Sequence, residues 1–269
     1  MATTDFFEDN YYSLYAALFV LGVISWLVAK HYARKRTEVL SGLSEKLGFN
    51  FSETPARAIR GLFSRHKNFD IGIDRKIYNL MEKTIDDRPV YAFDYDYDTE
   101  HYSRHSGHYT ITHTFSAAAV RLPCIFPREL YIRDERIFDK IAGVAGFGDL
   151  DFGPRKFHSK YLVKCSDKRL ARRLIHRDMM RFLMRGRGYS YELEKNILCI
   201  RSGKKWKPRQ FEPAIELAVE FVRLIPEEII EKLQKLQSKK HRIRQSREAP
   251  GQMAKTLKRR RLRRRRKRG

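Results

Sequence analysis

Cysteine is scarce in this chain. Cys124, Cys165 and Cys199 are odd in number, widely spaced and never in a CxxC pair. That excludes a disulfide framework or a zinc ribbon, suits a reducing compartment, and leaves apolar packing as the expected role of each thiol. Glycine signatures for phosphate are missing as well. Gly143, Gly146 and Gly148 do not fit GxGxxG. Gly203-Lys204-Lys205 lacks the Ser/Thr of a P-loop, and its upstream glycine position holds Leu198. No Ser or Cys sits in a nucleophile elbow, and no internal repeat is visible. No catalytic residue and no cofactor is therefore expected.

Charge of one sign is missing from each end. Residues 1–10 contain Asp5, Glu8 and Asp9 but no Lys or Arg, whereas residues 239–269 hold 16 Lys/Arg against the single acid Glu248. Between them, Tyr11 to Ala29 is a 19-residue stretch without any charge, apolar throughout from Leu14. A bilayer core about 30 Å thick needs roughly 20 helical residues, so this run reads as one membrane span. Tyr11, Tyr12 and Tyr15 at one end and Trp26 near the other match the aromatic belts of the two interfaces. Lys30, Arg34, Lys35 and Arg36 follow at once. Basic residues stay on the cytoplasmic side, so the short head 1–10 is expected outside and the remainder inside a cell (plasma or inner) membrane. A cleaved signal peptide fits poorly, because the segment before the run is acidic and no small-residue cleavage site follows it. A buried soluble helix would not need one-sided charge flanks.

Of the formal net charge of +24, residues 239–269 supply 16 − 1 = +15. A self-repelling tail that cannot bury a core is expected to be disordered. Its Lys258, Arg259, Arg260, Arg261, Arg263, Arg264, Arg265, Arg266, Lys267 and Arg268 are candidate polyanion contacts, for an anionic leaflet or for nucleic acid. The competing reading is a solubilising tail without a partner.

Residues 49–238 read as one α+β domain on a juxtamembrane basic helix, 30–48. Hydrophobic content of 42%, with 17 Phe and 14 Tyr, is enough for a sizeable core. Thr37 to Leu47 continues the span as a helix and stops at Gly48. Ile77–Ile85, Pro89–Tyr97 and Tyr109–Leu122 read as strands, with Asp98–His108 as a loop between the last two. Asp134–Ala142 reads as a short amphipathic helix and Gly143–Pro154 as a loop. Tyr161–Cys165 is a strand. Ser166 caps a single helix running to about Arg185. Tyr189–Glu194 and Ile197–Arg201 form a hairpin across Lys195-Asn196. Two amphipathic helices follow, Phe211–Ile225 and Glu227–Gln237.

Two side-chain sets could carry function. Opposite the apolar stripe of the helix 167–185 lie Arg169, Arg172, Arg173, Arg177 and Arg181, and guanidinium groups suit bidentate phosphate contacts. The plain alternative is a solvated helix face. His101, His105, His108 and His113 fall close to Asp94, Asp96, Asp98 and Glu100, a ligand set zinc, iron or nickel would use. The alternation of acids with Phe93, Tyr95 and Tyr97 is also what a half-buried strand shows.

The order of span, basic flank, Leu47-Gly48-Phe49-Asn50-Phe51, Phe93-Asp94-Tyr95-Asp96-Tyr97, Asp149-Leu150-Asp151-Phe152 and Phe157-His158-Ser159-Lys160-Tyr161 resembles a family of uncharacterised bacterial and archaeal single-span membrane proteins with a cytosolic α+β domain. The resemblance covers about residues 10–225, with His158 as an insertion in the last motif. It implies the architecture and no activity. The leading expectation is an anchored, non-enzymatic adaptor whose arginine helix and tail contact anionic lipid headgroups or nucleic acid. A metal-dependent enzyme or sensor built on the hairpin 94–113, and a purely structural membrane component, are the alternatives.

Overall fold

The computed structural model describes residues 2–63, 66–105, 107–134, 155–186 and 188–240, excluding the side chains of 2–12, Asn68, Arg155 and His158. The tail beyond 240, the expected helix after Asp134, the loop 143–154 and the Asp149-Leu150-Asp151-Phe152 motif lie outside them.

The span and the juxtamembrane helix are one element, α1 (Ala2–Leu47), of 46 residues. Between Ser13 and Ala29 it touches nothing that would bury it, and Leu14, Phe19, Leu21 and Trp26 are exposed. An apolar surface on all sides is what a lipid-facing helix needs. This helix is long and apolar enough to cross a membrane. It ends as the sequence predicts. Gly48 takes φ +69°, and the Gly48 and Phe49 amides donate to the carbonyls of Glu45 (3.0 Å) and Ser44 (2.8 Å). That is the left-handed cap that satisfies the last carbonyls of a helix.

The domain is one eight-stranded antiparallel sheet. In chain order it contains β1 (Asn50–Ser52), α2 (Arg57–Phe63), a 3-10 turn (Lys67–Phe69), β2 (Ile73–Ile85), β3 (Arg88–Ser103) and β4 (Gly107–Arg121). Then come β5 (Leu130–Asp134), α3 (Arg155–His158), β6 (Tyr161–Cys165), α4 (Lys168–Leu174) and α5 (Arg177–Arg185). β7 (Ser190–Glu194), β8 (Ile197–Arg201), α6 (Phe211–Arg223) and a helix over residues 227–240, α7, complete it. The strand order is β1-β2-β3-β4-β8-β7-β5-β6.

The period of two along each strand divides the core between the faces of the sheet. Val90, Ala92, Ala118, Val120, Leu198 and Ile200 pack under α6, α5, α4 and the Leu40 end of α1. On the other face Tyr91, Phe93, Tyr95, Phe115 and Cys199 pack against Phe63 of α2 and Phe69 of the 3-10 turn. Cys124, Cys165 and Cys199 are all buried and free. Burial raises all three thiols above the ordinary range.

Several expectations need correction. The stretch expected as a loop, 98–108, is mostly strand. β3 and β4 stay in register from Val90↔Val120 out to Ser103↔Gly107. Thr99, Tyr102, Tyr109, Thr110, Ile111 and Thr112 are strand formers, and they outweigh the polar residues between them. β1 and β5 were not anticipated, and β2 starts at Ile73 rather than Ile77. Its early part kinks around Asn79 at φ +51°, which interrupts the alternation a reader would look for. The single helix 167–185 is two helices. Asp167, not Ser166, is the N-cap, its side chain accepting from the Arg169 and Leu170 amides at 3.0 Å. The helix stops at the buried Ile175, and His176 restarts it from extended backbone.

Gly72 shows how tightly the sheet closes above β2. It sits at φ +70°, and a Cβ there would lie 2.2 Å from the Asp98 carbonyl oxygen. Only glycine fits that turn.

Candidate functional site

The junction between span and sheet is built on a buried charge. β3 carries Val90, Ala92, Asp94 and Asp96 on its helix-covered face, and Asp94 is fully buried there. Arg36, the last residue of the basic flank, reaches in from α1. Its Nε and Nη2 donate to the two Asp94 oxygens at 2.8 and 2.7 Å, and its Nη1 donates to the Trp206 carbonyl at 2.8 Å. Asn79 Nδ2 (3.0 Å) and Ser116 Oγ (2.6 Å) also donate to the carboxylate. Ser116 Oγ accepts from the Trp206 amide at 2.9 Å, and Thr37 Oγ1 donates to Asn79 Oδ1 at 2.9 Å. Residues from α1, β2, β3, β4 and the Trp206 loop therefore close one network. The Arg36 guanidinium lies 5.8 Å from the Phe211 ring centroid, which ties in the start of α6. A bidentate, fully partnered pair satisfies the conditions under which a buried ion pair is tolerated.

Beside it Asp96 accepts from Tyr78 Oη at 2.8 Å. Partial burial raises the Asp96 carboxyl above the ordinary carboxylate range, against the Tyr78 hydrogen bond that lowers it. Burial likewise pushes the Tyr78 phenol up, with Asp96 adding to the effect.

The second candidate is a groove of about 990 Å³ between α5, α3 and the end of α6. Phe157, Met180, Met184 and Leu224 form its apolar part, and Lys156, Arg177, Arg181 and Arg185 surround them, with Asp178 as the single acid. Arg181 pairs with Asp178, and Arg185 with Glu220 at 2.9 Å. Arg177 and Lys156 make no ion pair among the described residues. His176 Nε2, 2.9 Å from the Leu224 carbonyl oxygen, fixes the start of α5 against α6.

A third cluster lies under β7 and β8. His66, Glu192, Glu194 and Arg201 are all buried. Glu194 Oε2 accepts from the Lys67 amide at 2.8 Å and lies 3.8 Å from His66 Nδ1. Arg201 Nη2 is 3.4 Å from Glu192 Oε1. Burial holds the His66 imidazole down to about 4, opposed by the Glu192 carboxylate and backed by Arg201.

The expected sites map onto this fold unevenly. Arg169, Arg172 and Arg173 lie exposed on α4, while Arg177 and Arg181 lie exposed on α5. They lie on two helices rather than one, because the helix breaks between them. Arg173 also pairs with Glu228 at 3.4 Å. Tyr15, Trp26, Lys30, Arg34 and Lys35 are exposed along α1, with Lys30 Nζ 4.9 Å from the Trp26 ring. Arg36, expected at the headgroups, is instead only 17% exposed and bound into the domain. The side chains of Tyr11 and Tyr12, and Lys258 to Arg268, lie outside the described residues. The histidines of the hairpin divide between the two sides of the ribbon. His101 and His113 sit at 2.9 Å from the same Thr99 hydroxyl, while His108 stands beside Tyr102 on the opposite side. Among the described residues no three His, Cys, Asp or Glu side chains converge as metal ligands.

Sequence reasoning missed the partner of Asp94 and the apolar part of the groove. The signal for the first was present. A carboxylate in phase with the buried Val90 and Ala92 needs hydrogen-bonding or charged partners. Nothing local marks Met180, Met184, Phe157 and Leu224 as one surface, since three separate helices bring them together.

These features define an antiparallel α+β domain carried on a helix of membrane-spanning length. No known protein family matches the chain, and no curated protein does. Among solved structures it is similar to the crystal structure of the mycobacterial trehalose monomycolate transport factor A, TtfA, at a TM-score of 0.49 and 14% identity. That similarity covers 72% of this chain and 97% of the other.

Proposed function

We propose that this chain is a single-span, non-enzymatic adaptor that holds an acidic partner segment at a fixed distance from a membrane. The basic exit of the span supports a domain on the cytoplasmic side, by the positive-inside rule. The family of single-span proteins that the sequence resembles belongs to this proposal.

The observation that carries it is the α5 groove together with its position. α6 begins beside Arg36, and its last residue Arg223 donates to Asp86 at 2.7 Å in the β2–β3 turn. Thirteen helical residues rise about 20 Å, so Leu224 and the groove lie deep on the side away from the span. Direct seating of α5 on headgroups is therefore disfavoured. A methionine-lined floor with a cationic rim suits an amphipathic acidic helix, in which apolar anchors fill the groove and carboxylates meet the arginines. The polybasic tail remains the segment whose composition suits a leaflet or nucleic acid.

The test uses the full chain in detergent with three probes across a salt series. These are a synthetic Glu/Leu amphipathic helix, phosphatidylglycerol vesicles and poly(U) RNA. The peptide is expected to bind, more weakly as salt rises. Met180→Asp and the double variant Arg177→Glu/Arg181→Glu should each weaken it by about tenfold or more, because like charges meet or an apolar anchor is lost. If these variants reduce vesicle or RNA binding and the peptide does not bind, the adaptor reading fails.

A further inference from the structure

Beyond the core of the sheet, β3 and β4 continue alone. The pairing of β2 with β3 reaches only Ile73↔Asp98, and β4 pairs with β8 only over Ala117 to Arg121. From Thr99 to Ser103 and from Gly107 to Thr112 the two strands form a free ribbon among the described residues. An isolated two-stranded hairpin is marginal in water, and although this one grows from the sheet, its outer pairs have no neighbouring strand among the described residues.

Its direction follows from the contacts of α1. Thr37 meets Asn79, and ten residues later the Leu47 carbonyl accepts from Lys83 Nζ at 2.9 Å. α1 and β2 therefore descend together away from the span, and β3, antiparallel to β2, climbs back toward it. Arg36 and Asp94 mark one level on both. From there the charge-free run at Ala29 is seven helical residues away, a rise of about 10 Å, whereas the tip at Ser103 is nine strand residues away, about 30 Å. Even inclined at roughly 40° to α1, the ribbon rises by about 20 Å and passes the level where the span begins.

The chemistry at that height is interfacial. Tyr102 is 68% exposed, Tyr109 43% and Ile111 39%, and Arg104 is exposed at the turn. Tyrosine, arginine and single aliphatic groups are what the headgroup layer accepts. Asp98, below Ile111, and Glu100, paired with Thr110 between Ile111 and Tyr109, share with Tyr102 the face of Asp94 and Asp96 that looks toward α1 and its basic flank, while Tyr109 and Ile111 lie on the other face. We propose that the tip of the β3–β4 ribbon, through Tyr102, Tyr109 and Ile111, seats in the headgroup layer of the membrane that α1 spans. The domain then has two membrane contacts, a span and an interfacial finger, and cannot rotate freely about α1.

The test uses full-length protein reconstituted in vesicles of phosphatidylcholine and phosphatidylglycerol. An environment-sensitive fluorophore is placed at Tyr102→Cys, with Glu231→Cys on exposed α7 as the control; the three native cysteines are buried. Alkaline extraction is run alongside and reports the span independently. The expected result is a blue-shifted label at position 102, at least about threefold more quenched by brominated lipid than the label at 231. A label at 102 as water-exposed as the one at 231, in protein that resists extraction, overturns the finger and leaves the span standing. Tyr102 touches no part of the core, so the variant folds, and a second label at Tyr109→Cys must give the same answer.

Discussion

Arg36→Ala is expected to destabilise the domain by about 3–5 kcal/mol, the usual consequence of leaving a buried charge without its partner. Asp94 is fully buried, and without Arg36 it keeps only the Asn79 and Ser116 donors. The Trp206 carbonyl loses its donor too. Lys35→Ala, one residue away and exposed, should change stability by no more than about 0.5 kcal/mol. Arg36→Lys should recover only part of the loss, since an ammonium cannot bond both carboxylate oxygens and the carbonyl in the same plane. Asp94→Asn should cost less than Arg36→Ala, because the released guanidinium is partly exposed to water. The double variant Arg36→Ala/Asp94→Asn should fall short of the sum of its parts by about 1–3 kcal/mol, as expected for residues in one network. Denaturant unfolding of the full chain in micelles measures all five variants.

Acidification from pH 7 to 4 is expected to remove about 3 kcal/mol of stability through His66 alone, at 1.36 kcal/mol per unit of pKa difference. Its imidazole titrates near 6.5 when unfolded and is held to about 4 in the fold, chiefly by burial. The unfolded chain therefore binds the proton first. The stabilisation is complete above about 6.5, falls as the pH drops through that value, and is exhausted near 4. Glu192 opposes the shift, while Arg201 and Lys195 favour it. Asp96 acts in the opposite direction, because its raised carboxyl pKa makes the fold bind a proton before the unfolded chain does. It is only partly buried, so its effect is smaller. His66→Gln should flatten stability between pH 6.5 and 4, whatever it does to stability at pH 7. A profile equally steep in the variant would place the acid sensitivity elsewhere.

Much of the architecture was legible because it rests on local rules. The long apolar helix shows as nineteen uncharged residues with opposite flanks. The end of α1 shows as Gly48, and the Lys195-Asn196 hairpin as a polar pair between two apolar runs, with Lys195 at φ +55°. What failed depended on tertiary context. The ribbon 98–108 looked like a loop because its residues are polar. The helix 167–185 looked continuous because Leu170, Leu174, Phe182 and Leu183 keep helical spacing across the break between Leu174 and Arg177. Arg36 looked like one more basic residue of the flank, since nothing near it in sequence says that Asp94 waits 58 residues away. The groove was half legible. Arg177 and Arg181 were visible as a helical face, while the apolar floor needs α3, α5 and α6 assembled.

The Arg36–Asp94 clamp joins the long apolar helix and the domain into one unit, and that can be read as a distance. Spin labels at Tyr32→Cys, exposed on α1 above the clamp, and Glu216→Cys, exposed on α6, report it by double electron–electron resonance in reconstituted full-length protein. The expected result is one narrow distance in the otherwise native chain, broadened when Arg36→Ala is added. A broad distribution with Arg36 and Asp94 intact would contradict the clamp, because the span and the sheet would then be joined by a flexible hinge.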